Sequence, residues 1–304
     1  MLKKLLLFSC LIIFTPVIIV SIFIRNNEIT FNFSNNTIVR VYREKTKNIE
    51  YIPIEEYVVG VLAGEMPVNF ELEALKAQAV ASRSYVMKQI EKNVNKEYDV
   101  IDTVTNQVYL DSEDLLAVWS SSYVLNVNKI KEAVLQTKGE YLFYDNKVAE
   151  ALFFSTSPGI TENSEEIFIS KEPYLRSVSS KWDEISPLYS TTHTYTLTEF
   201  YNILNIKYKN NLNIDITQKT STGRLKKIKI NNTEFTANYI CSKFSLNSTY
   251  FEIIQEGTNV IIKNKGYGHG VGMSQYGAEG MARMGHTYDQ ILKYYYKDIE
   301  IKKF

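Results

Sequence analysis

A carboxylate does acid–base chemistry best where the chain bends and water is scarce. Glu65 stands in such a place, between Gly64 and the pair Met66-Pro67, at the junction of two helical patterns. A carboxyl flanked by apolar groups tends to hold its proton toward neutral pH, as a general acid must. The position also suits a solvated glutamate capping the following helix, and the local sequence leaves both roles open. Arg83 lies beside the apolar stripe of the second helical pattern, between Ala79 and Val86. A guanidinium there wants a partner: either a ligand carboxylate gripped in its fork, or an internal Glu or Asp.

Two further stretches carry polar chemistry. Ser155-Thr156-Ser157-Pro158-Gly159-Ile160-Thr161-Glu162-Asn163-Ser164-Glu165 concentrates hydroxyls, an amide and carboxylates directly after the apolar Ala151–Phe154. Such a loop at a strand end is equipped to hold sugar hydroxyls or acetamido groups, and Ser155, Ser157, Glu162 and Asn163 are its candidates; turn chemistry alone would also account for it. A nucleophilic serine is disfavoured, because no Gly-x-Ser-x-Gly elbow occurs and the chain has only three histidines. The second stretch, Gly266-Tyr267-Gly268-His269-Gly270-Val271-Gly272-Met273-Ser274-Gln275-Tyr276-Gly277, has glycine at every second position at its start and matches no phosphate loop. Alternating glycines let backbone approach something closely, with His269 and Gln275 as the polar groups presented. His193 and His286 show no ligand spacing with His269, so no metal is expected there.

The elements that must position these groups follow from periodicity. Strand-like alternation at Thr37–Val41 precedes a helix over Ile54–Ala63, which Gly64 is expected to break; a longer helix runs from about Glu71 to Ile90, rich in alanines that permit close packing. Val108–Leu110, Glu140–Tyr144 and Val148–Phe154 read as short strands, and Lys129–Thr137 as a helix. Thr191–Val260 alternates helix-like and strand-like patches and reads as a structural lobe. Beyond the glycines one helix is expected to run to Tyr294-Tyr295-Tyr296. The predicted class is α+β.

Composition bounds the function. With 34 basic and 34 acidic side chains among 304 residues, no global field gathers nucleic acid. The 22 tyrosines suit flat sugar faces, although most should fill strands and interfaces. Two cysteines, Cys10 and Cys241, build neither a disulfide framework nor a cysteine-based zinc site. Leu5–Ile24 is free of charge and long enough to cross a bilayer, with Lys3 and Lys4 before it. The expected layout is a cytoplasmic stretch 1–4, a membrane anchor 5–24, a tether and first strand 25–50, and an outward-facing domain 51–304.

Four ordered motifs then carry a resemblance. They are Val61-Leu62-Ala63-Gly64-Glu65-Met66-Pro67 with Leu72-Glu73-Ala74-Leu75-Lys76-Ala77-Gln78-Ala79; Ser155-Thr156-Ser157 with Thr161-Glu162-Asn163-Ser164; Pro173-Tyr174-Leu175-Arg176-Ser177-Val178; and Gly268 through Gly277. From about Ile52 onward the chain resembles the stage II sporulation protein D family, whose fold is shared with the amidase-enhancer LytB proteins. The resemblance implies a lytic transglycosylase of the mother-cell engulfing membrane, cutting peptidoglycan glycan strands beside an anchoring protein and an amidase. It puts the catalytic glutamate on Glu65 and further functional residues on Arg83, Tyr174 and Asp183. A non-catalytic enhancer of a cell-wall amidase is the alternative it implies. Some members hold zinc with a His and two Cys near the segment equivalent to Tyr98–Gln107. That segment has neither residue type here, so it must be held by packing and hydrogen bonds, and no cofactor is expected.

Overall fold

A computed structural model describes residues 37–303 together with Thr15 and Glu28. The charge-free run Leu5–Ile24 lies outside the described residues; among those described, no helix is long and apolar enough to cross a membrane. The chain is α+β and divides into two compact units, Met1–Glu140 with Lys303–Phe304, and Tyr141–Lys302. This boundary falls within the stretch 51–304 read as one domain.

In the first unit, β1 (Ile38–Arg43) and β2 (Asn48–Pro53) form an antiparallel hairpin, and β3 (Val100–Ile101) pairs with β1 in parallel. Pro53 ends β2 and caps α1 (Ile54–Glu65), where its fixed φ suits a helix start and Glu55 and Glu56 face the positive end of the helix dipole. α1 is buried along most of its length, from Ile54 to Leu62. α2 (Leu72–Lys92) lies against it, and its buried Ala74, Ala77, Ala79, Ala81, Ser82 and Ser84 allow the close approach that larger side chains would prevent. Two more helices follow. α3 (Ser112–Trp119) begins at an Asp111/Asp114 capping box, and α4 (Tyr123–Gln136) packs Val127, Ile130, Ala133 and Val134 inward.

Two expectations for this unit need correction. Gly64 does not break α1, which continues through it to Glu65. Val108–Leu110 is extended but joins no sheet. Its N–H groups go instead to the Glu65 carboxylate, the Asp102 carbonyl and the Gly60 carbonyl. Both corrections have one cause: Gly60 and Gly64, a turn apart on one face of α1, let the segment lie against the helix backbone. A Cβ at Gly60 would come within 2.3 Å of the Tyr109 ring, and one at Gly64 within 2.7 Å of the Val108 carbonyl oxygen.

The second unit has a lobe and a knot of loops. The lobe contains β4 (Ser190–Thr196), α5 (Leu197–Leu204), β5 (Ile214–Lys219), β6 (Leu225–Ile230), β7 (Thr233–Thr236), α6 (Ala237–Phe244), β8 (Phe251–Glu256) and β9 (Asn259–Lys265). These strands make two three-stranded antiparallel sheets, β7-β6-β5 and β8-β9-β4. Phe200, Tyr201, Ile228, Ile240, Phe244 and Ile262 fill one core, with Phe200 stacked on Phe244 at 5.0 Å. In the knot, Phe153–Phe154 pairs in parallel with Met273–Ser274. The helix expected to reach Tyr296 is two, Gln275–Arg283 and Tyr288–Tyr295. Gly285, at φ +88°, follows the end of the first, and the Thr287/Gln290 box starts the second.

Candidate active site

Glu65 is the last residue of α1 and is half-buried. One carboxylate oxygen accepts the Val108 N–H at 2.7 Å, so the glycine-lined contact that admits Val108 also orients the carboxylate. Nearby hydrogen bonds stiffen the same segment. The Tyr57 hydroxyl donates to the Gln107 side-chain oxygen at 3.1 Å, and the Asn106 amide donates to the Tyr85 hydroxyl at 3.0 Å. Hydrogen bonds also hold the Tyr98–Gln107 stretch, and its acids are spent on arginines: Asp99 on Arg40 at 2.5 Å and Asp102 on Arg43 at 2.9 Å. Acids neutralised in this way do not fit a zinc ion, and among the described residues no group of three or more His, Cys, Asp or Glu could hold a metal.

Arg83 is fully buried in the same unit and is engaged internally. Its Nε donates to Glu55 Oε1 at 3.0 Å, its Nη2 to Glu55 Oε2 at 2.7 Å and its Nη1 to the Glu140 carbonyl at 3.2 Å. Glu55 Oε1 also accepts the Gly139 N–H at 3.1 Å. Of the two partners that sequence left open for this guanidinium, the internal carboxylate is the one beside it.

The remaining candidates lie in the second unit, and most face inward. Asp183 is fully buried. Its Oδ1 accepts the Ser157 N–H at 2.7 Å and the Ser274 hydroxyl, while Oδ2 accepts the Ser180 hydroxyl at 2.5 Å. Burial pushes its carboxyl up to about 6 against these hydrogen bonds. Ser157 is buried, and its Oγ accepts the Gly159 N–H. Ser155 is half-buried, with Oγ 3.2 Å from Thr156 Oγ1. Glu162 is buried against Arg224 at 3.4 Å and accepts from Thr220 and Thr222; burial pushes its carboxyl up to about 7 despite the guanidinium. Asn163 turns its side-chain oxygen to the Ser177 N–H. Tyr174 accepts the Glu150 N–H at 2.9 Å, and burial raises its phenol. Gln275 is buried at the start of its helix.

His269 is held between the Phe154 and Phe168 rings. Its Nδ1 accepts the Val271 N–H, which makes Nε2 the donor to the Phe153 carbonyl at 3.0 Å. Burial, then Arg224, lowers its pKa to about 4, so the ring is neutral at physiological pH. The alternating glycines beside it do permit close backbone approach, and what approaches is the chain itself. Gly266, Gly268, Gly270 and Gly272 all have positive φ, and Cβ atoms there would strike Thr156, Phe154, Arg224 and Leu152.

The family model "SpoIID: Stage II sporulation protein" matches residues 42–144, which include Glu65 and Arg83. Stage II sporulation protein D of Bacillus subtilis is 42% identical over 270 residues, covering 87% of this chain and 79% of its own length. The chain belongs to the stage II sporulation protein D family. The Bacillus amyloliquefaciens member is likewise 42% identical over 270 residues, 87% of this chain and 78% of that protein. A Bacillus subtilis protein named Amidase enhancer is 30% identical over 292 residues, covering 78% of this chain and 39% of that protein.

In this SpoIID-family chain, the sequence reading missed Glu55, Arg224, Ser180 and Val108. Arg83's place beside an apolar stripe pointed to an acid without saying which one. Arg224 gave no signal, because Glu162 and the Gly268 carbonyl it bonds are far away in the chain.

Proposed function

We propose that this chain is a lytic transglycosylase that cuts the bond between N-acetylmuramic acid and N-acetylglucosamine in peptidoglycan during sporulation engulfment. The observation that carries the reading is Glu65: a half-buried carboxylate at a helix end with one oxygen fixed by the Val108 N–H. As the acid it protonates the glycosidic oxygen. As the carboxylate it then takes the proton of the C6 hydroxyl, which closes on C1 to give a 1,6-anhydro end. One carboxyl serves both steps. Hydrolysis would ask for a second carboxylate to activate water, and the carboxylates of Asp183 and Glu162 are fully enclosed. In this reading Arg83 holds the framework of the unit that carries Glu65, and Tyr174 and Asp183 hold that of the second unit. Leu5–Ile24 anchors the enzyme, so that the rest of the chain faces the wall alongside an anchoring protein and an amidase.

Incubating the full chain with purified sacculi and analysing the released fragments by mass spectrometry tests this. Wild type should yield 1,6-anhydro-muropeptides, and Glu65→Gln, whose amide oxygen can still accept from Val108, should lower the yield by at least about 10²-fold. Reducing ends in place of anhydro ends would sink the transglycosylase in favour of a hydrolase. The relative named Amidase enhancer supports a second reading, a glycan-binding stimulator of an amidase. It would show as no product from the chain alone but faster cleavage by an added amidase, unaffected by Glu65→Gln.

A further inference from the structure

From Leu115 to Asn128 the chain carries no charge: Leu115-Leu116-Ala117-Val118-Trp119-Ser120-Ser121-Ser122-Tyr123-Val124-Leu125-Asn126-Val127-Asn128. This stretch is the end of α3, the 3₁₀ turn Ser120–Ser122 and the start of α4. It is a tip rather than a core. Leu116, Val118 and Leu125 are 55%, 66% and 60% exposed, and Trp119 and Val124 are half-buried. The packed residues of α4, Val127, Ile130, Ala133 and Val134, all lie beyond Leu125. Apolar side chains clustered at an uncharged turn, with a tryptophan among them, mark a surface that expects an apolar or interfacial neighbour.

A second observation says what that neighbour is. Glu28 is bonded to Lys131 of α4 at 2.6 Å and lines a recess of about 490 Å³ together with Leu115, Tyr123 and Lys131. It stands four residues after Ile24, the end of the charge-free run. Four residues reach at most about 14 Å, so wherever Ile24 leaves a bilayer, α4 must lie close by. From its middle onward α4 carries Lys129, Lys131 and Glu132, charges that a bilayer interior does not accept. Its Tyr123 end, roughly 12 Å from Lys131 along the helix, carries only apolar and uncharged polar side chains.

We propose that the α3–α4 tip, Leu116–Leu125, seats in the headgroup region of the lipid bilayer, with Leu116, Val118, Trp119 and Leu125 as its contacts. The inference rests on the proposed anchor at Leu5–Ile24. Two attachments, one spanning and one interfacial, fix the orientation of the first unit over the membrane, whereas a single tether leaves it free to turn.

The chain has two tryptophans, so Trp182→Phe leaves Trp119 as the only indole. Reconstituted at full length into phosphatidylcholine–phosphatidylglycerol vesicles, this variant should lose at least about twofold of its emission when the acyl chains are brominated. Adding Leu116→Asp and Val118→Asp should abolish that loss. The difference between wild type and Trp119→Phe gives the same reading should Trp182→Phe not fold. Emission indifferent to brominated lipid overturns the tip, and a protein partner would then be the better occupant. Carbonate extraction reads the anchor separately. A chain retained in the pellet with unquenched Trp119 refutes the tip and keeps the anchor, whereas a chain released by carbonate but quenched before extraction keeps the tip and refutes the anchor.

Discussion

Replacing Arg83 by alanine would strand the Glu55 carboxylate, fully buried, with the Gly139 N–H as its remaining partner among the described residues. Breaking such a pair from one side typically costs about 3–5 kcal/mol, whereas neutralising both sides costs far less. Arg83→Ala is therefore expected to lower the denaturation midpoint sharply, and Glu55→Leu combined with Arg83→Met to recover most of the loss. Arg83→Lys should recover little, since one ammonium cannot serve both Glu55 oxygens and the Glu140 carbonyl. If Arg83→Ala melted with wild type and yet failed on sacculi, Arg83 would be acting on substrate. At Glu65 the opposite pattern is expected, because Glu65→Gln keeps an acceptor for Val108 and should change activity with little change in melting.

At the scale of elements, α1 delivers its carboxylate because its glycine face admits the 108–110 segment. Alanine at Gly64 would gain about 1 kcal/mol of helix propensity, but its Cβ would fall 2.7 Å from a backbone carbonyl oxygen that has little freedom to move. Overpacking of this kind costs roughly 1–3 kcal/mol. Gly64→Ala should thus destabilise by up to about 2 kcal/mol in urea titration and weaken glycan cleavage with it, since the displaced segment carries the N–H that fixes Glu65. Gly60→Ala should be worse, with its Cβ 2.3 Å from the Tyr109 ring and 2.5 Å from the Leu110 carbonyl oxygen. A Gly64→Ala protein as stable and active as wild type would show that Val108 does not orient Glu65.

For the whole molecule, buried titratable groups in the second unit predict how stability follows pH. Burial raises Asp183 from 3.8 to about 6. Between those values the folded protein holds a proton that the unfolded chain has released, so this group's contribution falls as pH rises through about 6. Glu162, raised to about 7, has the same sign. His269, lowered to about 4, has the opposite sign between 4 and 6.5 and offsets part of the effect. Thermal melts from pH 4.5 to 7 should show stability falling as pH rises. Asp183→Asn should remove about 2 kcal/mol of that fall, and His269→Asn should steepen it; parallel curves for Asp183→Asn and wild type would mean that burial does not raise Asp183. The sequence by itself determined the α+β class, most element positions, the family motifs and the prominence of Glu65, because local periodicity, turn residues and short motifs act over a few neighbours. It also indicated that Arg83 needed an anion and that the alternating glycines served close contact. Only the tertiary structure decided the partners: Glu55 for Arg83, Val108 for Glu65, Arg224 for Glu162, and Ser157, Ser180 and Ser274 for Asp183. Each pairs residues well separated in the chain except Ser180 with Asp183, and a buried polar group is satisfied by whatever donor the fold brings within about 3 Å. Spacing along the chain does not encode that.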